Sequence, residues 1–411
     1  MIKNKLSILM VGLIGGSNLY AAKAPIAVIS GSTVVTAGWV NQKIRTNGKR
    51  ATVAPALGIG LSDVYFTATG ETDFGFTYLW RANITAIPGK TFAMDRNYLQ
   101  FGHNQYGTTQ IGSVSGVEDT FVQSALRLIG GAAGIDGGFS GFFNKSTGIL
   151  DDIHILGYTK RATKLVYSTP VFNGVQFGMA YTPNTSSAGR DGLNLDSASN
   201  PGIGNDSALY PDKDYAPYGI NNVAFAISYV NAWEDYSINL NAVYIREDSK
   251  LKNEDKSFID INNVSSYQLG CTFGYKNLRF AGNFIDNGQS RLPKNKNEVI
   301  TKGSSTDNMH LGNAARMWDI GAQYKWNALQ FAVAYFRSDR NFDDVNKVSS
   351  DVVTTTVDYN ALPGLKFFAE VDFASFNTCK AATDFANSVK SRSSIDNNTG
   401  QVFIVGSKIS F

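Results

Sequence analysis

The chain has 411 residues, with 37 basic against 34 acidic, 12% aromatic residues and 40 glycines. So even a charge balance implies no nucleic-acid partner, and after the first twenty-odd residues no apolar run approaches the roughly 20 residues of a membrane-spanning helix. A soluble chain of this length is expected to divide into two or more domains, yet no composition change marks a boundary.

At the front, Lys3 and Lys5 precede an apolar stretch from Leu6 to Ile14, and small residues follow at Ala21, Ala22 and Ala24. This is the pattern of a secretory leader; its apolar core is about half the length a membrane anchor needs. The expected division is a leader over 1–22 and one barrel domain over 23–411. Without Lys3 and Lys5 the chain keeps 35 basic against 34 acidic residues.

Strands are predicted near 26–42, 59–69, 74–87, 91–103, 108–115, 162–170, 175–182 and 222–231, then near 236–246, 265–275, 278–286, 315–326, 329–338, 351–360, 365–375 and 400–411. Side chains alternate along them with a period of two. In the tenth, Tyr267, Leu269, Cys271, Phe273 and Tyr275 alternate with Ser266, Gln268, Gly270, Thr272 and Gly274. Lys276-Asn277 then makes a two-residue hairpin, which sets Leu269 opposite Phe284 and Phe273 opposite Phe280 on one face. The last strand puts Phe403, Val405, Ile409 and Phe411 on one face, with Lys408 and Ser410 opposite.

Connectors alternate between a few residues and long polar segments at 43–58, 116–161, 183–221, 247–264, 287–314, 339–350 and 376–399. Aromatics crowd the short-turn ends, at Tyr229, Trp233, Tyr236, Tyr275, Tyr324, Trp326 and Tyr359. A second set, including Tyr181, Tyr244, Phe284, Trp318 and Tyr335, lies roughly 20 Å away in height, the spacing of two membrane interfaces. The fold class is therefore all-β: a 16-stranded antiparallel transmembrane β-barrel, wide enough for a water-filled channel. A mean hydropathy close to neutral agrees, because alternate residues alone face lipid. Both cysteines, Cys271 on a strand and Cys379 in a long connector, are read as free.

On these residues the chain resembles the Gram-negative general porin family along most of its length. Ala162 to Asn184 (ATKLVYSTPVFNGVQFGMAYTPN) is similar to that family's sixth and seventh strands. GGAAGIDGGFSGFFN at 130–144 is similar to its glycine-rich third loop, and Phe411 to its terminal insertion signal. The resemblance implies a homotrimeric sixteen-stranded channel with the long third loop folded inward. The chain departs from the family around Asp95-Arg96, where the usual acidic residue at the start of the fourth strand is replaced.

Connectors as long as 116–161 usually have a function, and constriction of the channel is expected here. On the third strand Phe74, Phe76, Tyr78, Trp80, Ala82 and Ile84 face lipid, which leaves Thr77, Leu79, Arg81 and Asn83 facing water. Pro88-Gly89 centres the next hairpin and predicts Arg96 directly opposite Arg81. Like charges across a ladder repel, so Glu118, Asp119 and Asp136 of the connector are expected to compensate. The five form a candidate pore constriction with a transverse field that sorts ions and small hydrophilic solutes. The alternative is that these ions only pin the connector to the wall.

No catalytic, cofactor or metal site is expected. His103, His154 and His310 share no spacing with a serine nucleophile or with Cys/His ligand sets, and the glycine run 130–141 does not open a helix after a strand. The expected function is an outer-membrane porin for passive diffusion, in contact with membrane lipid. The alternatives are a substrate-selective channel and a surface adhesin or antigen barrel with little conductance.

Overall fold

The computed structural model describes residues 25–46, 49–50, 55–86, 93–144, 146, 154–159, 162–185, 218–252, 258–292, 294, 300–302, 305–307, 315–341, 346–380 and 396–411. The leader, His310 and most of the connectors 183–221 and 287–314 lie outside them. Sixteen staves form the wall: β1 (Ile26–Gln42), β2 (Ala56–Glu71), β3 (Thr77–Ala86), β4 (Ala93–His103), β5 (Gly107–Ser113), β6 (Thr163–Ser168), β7 (Val175–Asn184) and β8 (Tyr218–Trp233). They continue as β9 (Tyr236–Lys252), β10 (Val264–Tyr275), β11 (Leu278–Asp286), β12 (Arg316–Trp326), β13 (Leu329–Asn341), β14 (Lys347–Leu362), β15 (Leu365–Asn377) and β16 (Asn398–Ser410).

Each stave pairs antiparallel with its neighbours in sequence, and β1 pairs with both β2 and β16, which closes the sheet. Closure leaves no edge strand with unpaired backbone groups, the condition for crossing a bilayer with strands. At the seam, Gly31 and Phe411 exchange two backbone hydrogen bonds of 2.9 and 3.0 Å. A two-residue strand, Phe258–Ile259, extends the far end of β9.

Two-residue turns fix the register. Lys276-Asn277 joins β10 to β11 with Leu269 opposite Phe284 and Phe273 opposite Phe280, and Lys276 takes the positive φ of 50° that such a tight turn requires. The turn between β8 and β9 is tighter than the expected Asn231–Asp235, because Trp233 already pairs with Tyr236. Away from the short turns several staves run further than predicted. β13 and β14 reach Asn341 and Lys347, so the connector expected at 339–350 shortens to 342–346.

Polarity is the inverse of a soluble protein. Outward side chains such as Phe225, Leu269, Ile320 and Phe373 are 48–58% exposed, while Thr354, Asp358, Glu370 and Asp372 face inward and are at most 1% exposed. Each large outward apolar side chain left in water would forfeit about 1.5–3 kcal/mol. Only a hydrocarbon surrounding makes such an exterior stable. No described helix is long and apolar enough to cross a membrane, and the crossing is made by strands.

Candidate functional site

The segment between β5 and β6 lies inside the wall. Its short turns of helix, at Val117–Thr120, Ala125–Arg127, Gly134–Asp136 and Phe139–Phe142, bury Val117, Phe121, Ala125, Leu126, Ile135 and Phe139 to 7% exposure or less. Backbone groups freed by these turns meet acceptors on successive staves. Asn241 of β9 accepts from the Gln123 N–H at 3.0 Å, and Asp319 of β12 from Ala125 at 2.6 Å. Asp358 of β14 accepts from Gly131 at 2.9 Å and Glu370 of β15 from Ala132 at 2.8 Å. Gln42 of β1 takes the Asn144 N–H at 3.0 Å.

Inward glycines give this segment room. A side chain at Gly270 would begin 2.2 Å from the Gln123 carbonyl oxygen, and one at Gly178 would meet Val117 and Phe121 at 2.7 to 2.9 Å. The segment thus covers the inner faces from β6 round to β16. Opposite, inward residues of β2 to β5 such as Tyr65, Thr67, Arg81, Arg96, Gln100 and Gln110 stay partly exposed.

Arg81 and Arg96 both lie on that open face, but they are not directly opposed. Arg81 pairs with Tyr98 and Asn83 with Arg96: the pairs Thr85–Ala93 and Ile84–Met94 already lie one residue off the register expected from Pro88-Gly89, and a bulge at Asp95, opposite the Asn83–Ile84 step, adds one more. The two guanidinium groups are therefore diagonal neighbours, which eases the repulsion of a direct pair. Arg81 also lies over the Tyr65 ring, 4.6 Å from its centroid, a favourable cation–π contact.

Across from them Tyr158 gathers the connector's charges. It lies within electrostatic reach of Asp119, Glu118, Arg96 and Asp136, and its ring stacks on His154 with centroids 3.9 Å apart. Burial and then the carboxylates push the Tyr158 hydroxyl far above its ordinary value, so it stays a neutral donor. Asp119 pairs with Arg127 at 2.6 Å. Burial alone would raise its carboxyl; Arg127 and Ser115 outweigh that and hold it below the ordinary carboxylate value. Asp136 is exposed. Glu118 is not: at 1% exposure it accepts from the Thr159 hydroxyl at 2.6 Å and lies 4.0 Å from Lys164 Nζ.

A profile of Gram-negative porins matches residues 22–378. The chain belongs to the Gram-negative porin family. This porin is 24% identical over 241 residues to uncharacterized protein RT0064 of Rickettsia typhi, and 22% over 242 residues to uncharacterized protein RP068 of Rickettsia prowazekii. The chain spans about half the length of these curated relatives, 50% of each. In fold the porin is similar to the anion-selective porin from Comamonas acidovorans, with a TM-score of 0.54 at 11% identity, covering 94% of this chain and 100% of that one. It is likewise similar to OmpF of Salmonella typhi, solved in complex with daunomycin, with a TM-score of 0.55 at 14% identity, covering 94% and 97%. Family and barrel together indicate the Gram-negative outer membrane.

Sequence reasoning missed two members of the porin's inner cluster. Lys164 of β6 is 2% exposed, donates to the Val114 carbonyl at 2.8 Å and lies within electrostatic reach of Glu118, Asp119 and Arg96. Its inward parity in the predicted sixth strand was the available signal. Tyr158 carried none, because it sits in a connector with no periodicity. Elsewhere His103 stacks between Phe76 and Tyr106 at the β4–β5 turn, with both centroid separations 4.7 Å. Among the described residues no group of three or more His, Cys, Asp or Glu could hold a metal, and neither Cys271 nor Cys379 is in a disulfide.

Proposed function

We infer that this chain forms a water-filled outer-membrane channel through which ions and small hydrophilic solutes diffuse passively. One observation carries the reading: a partly exposed inward face bears Arg81 and Arg96, and the connector's Tyr158 lies within electrostatic reach of Arg96 as well as of Asp119 and Asp136. Cations on one side of the passage and carboxylates on the other orient water and polar solutes, so charge and size sort what passes. Arg81, Arg96, Asp119 and Asp136 form the constriction. Glu118 acts behind it by fixing Lys164 and Thr159. The channel is not an enzyme, and none of these roles needs a catalytic group.

The export leader at 1–22 is removed, and the mature barrel assembles as a homotrimer. Supporting a protein neighbour, the outward face of β3 and β4 carries an amide, Asn97, bonded to the Trp80 indole N–H at 2.9 Å. A polar pair there suits a subunit contact better than hydrocarbon. Single-channel recording of the refolded protein tests the function: stepwise ohmic openings in salt are expected. Saturable, competitively blocked currents would make it a substrate-selective channel. No conductance would favour an adhesin or antigen barrel.

A further inference from the structure

The inward positions change character near the short turns. Ala281, Gln323 and Phe368, beneath the connector, are 4–6% exposed. One inward step toward the turns stand Arg279 and Lys325, both exposed, and Lys366, partly exposed; Lys408 occupies the matching end of β16, also partly exposed. The first groups to meet open water at this mouth, on β11, β12, β15 and β16, are therefore all cations.

They stand on two pairs of adjoining staves, β11–β12 and β15–β16, with Gln330 of β13 and Asp358 of β14 between the pairs. Lys325 pairs across the ladder with Gln330, whose amide donates to Asp358 at 3.4 Å, and Asp358 lies 3.1 Å from Lys366. Lys366 sits directly opposite Lys408. Like charges so placed repel, and Asp358 offsets only Lys366. Among the described residues the side chains of Arg279, Lys325 and Lys408 have no carboxylate partner. The equivalent inward positions on β4 to β7 and on β9 are uncharged: Gln100, Thr108, Ser168, Gln176 and Ser237. Glu71, at the foot of β2, is an inward carboxylate on the far side.

We propose that Arg279, Lys325, Lys366 and Lys408 form a second site, separate from Arg81 and Arg96, that captures small multivalent anions such as phosphate esters and tricarboxylates at the short-turn mouth. The inference rests on the channel reading above. A single chloride neutralises one cation at a time, whereas a molecule with several negative charges is held by neighbouring cations at once. Facing water, the cations remain available to solutes, and low-dielectric walls concentrate their field in the mouth.

The test is block of single channels by inorganic tripolyphosphate added to each side in turn. Block from one side at a concentration about tenfold lower than from the other is expected for a highly charged anion. The combined change Arg279→Gln, Lys325→Gln and Lys408→Gln should abolish that difference, and Arg279→Lys, Lys325→Arg and Lys408→Arg should restore it. Arg81→Ser with Arg96→Ser should leave it in place. Equal block from both sides of the parent, or unchanged sidedness in the glutamine variant, would overturn the proposal while ohmic conductance still upheld the channel. Absence of conductance in the parent would instead remove the reading on which it stands.

Discussion

Asp319 of β12 and Ala125 of the inner connector lie on either side of a 2.6 Å hydrogen bond, and the same carboxylate oxygen also accepts from the Ser124 hydroxyl at 3.0 Å. An acceptor on the wall thereby fixes backbone that would otherwise be buried unsatisfied. Asp319→Ala leaves both donors without a partner, at a cost of about 1–3 kcal/mol. We expect a lower unfolding temperature in detergent and noisier open-channel current, with Asp319→Asn intermediate because it keeps one acceptor oxygen. A silent Asp319→Ala would show that the connector is held by apolar packing alone.

Gly270 and Gly282 separate the inner face from the outer. A methyl group at Gly270 collides with the Gln123 carbonyl at 2.2 Å, whereas at Gly282 the nearest atom is 3.4 Å away. Gly270→Ala should therefore destabilise by about 1–3 kcal/mol, as overpacking does, and alter unitary conductance by displacing the connector. Gly282→Ala, on the lipid side, should change neither. Equal effects of the two substitutions would mean that the connector does not press on β10.

The Asp119–Arg127 pair sets a pH window. Because the folded carboxyl is held below its ordinary value, its contribution is complete above the unfolded value of about 3.9 and is lost only as pH falls through the lower folded one. The difference in unfolding temperature between the parent and Asp119→Asn should stay constant from about pH 7 to 4.5 and narrow below about 3.9. Narrowing already between pH 7 and 5 would contradict the assignment.

The proposed subunit contact through β3 and β4 is open to cross-linking. In a Cys271→Ser and Cys379→Ser background, Asn97→Cys should be joined between copies by a short bifunctional maleimide. Phe373→Cys, on the outward face of β15, should not. Reaction at both positions alike would point to random collision in the bilayer.

Reversal potential under a salt gradient examines the transverse field. Arg81→Ser with Arg96→Ser should shift permeability toward cations, since the exposed wall loses its fixed positive charge. An unchanged preference would leave those arginines with a purely structural role.

The barrel was legible because one face of every stave meets hydrocarbon, which imposes a period of two along the strands. Two-residue turns then transmitted the register, as the Leu269–Phe284 and Phe273–Phe280 pairs show. What escaped was information that the pattern does not carry. A turn-side register one residue off the expected one and a bulge at Asp95 that adds another leave the composition unchanged, so Arg81 and Arg96 were misaligned by two. Beyond the lipid, outward positions need not be apolar, and the far ends of β9, β13 and β14 lost their signal. Glu118 looked like a pore carboxylate because its partners, Thr159 and Lys164, are more than forty residues away in sequence.

The inner segment is tied to β9, β12, β14, β15 and β1 by separate hydrogen bonds. Mechanically it is a strut spanning much of the circumference. A hollow tube of this size would flatten readily under sideways pressure from its neighbours, whereas a braced one keeps a round cross-section. Flow through this protein should therefore be insensitive to bilayer tension.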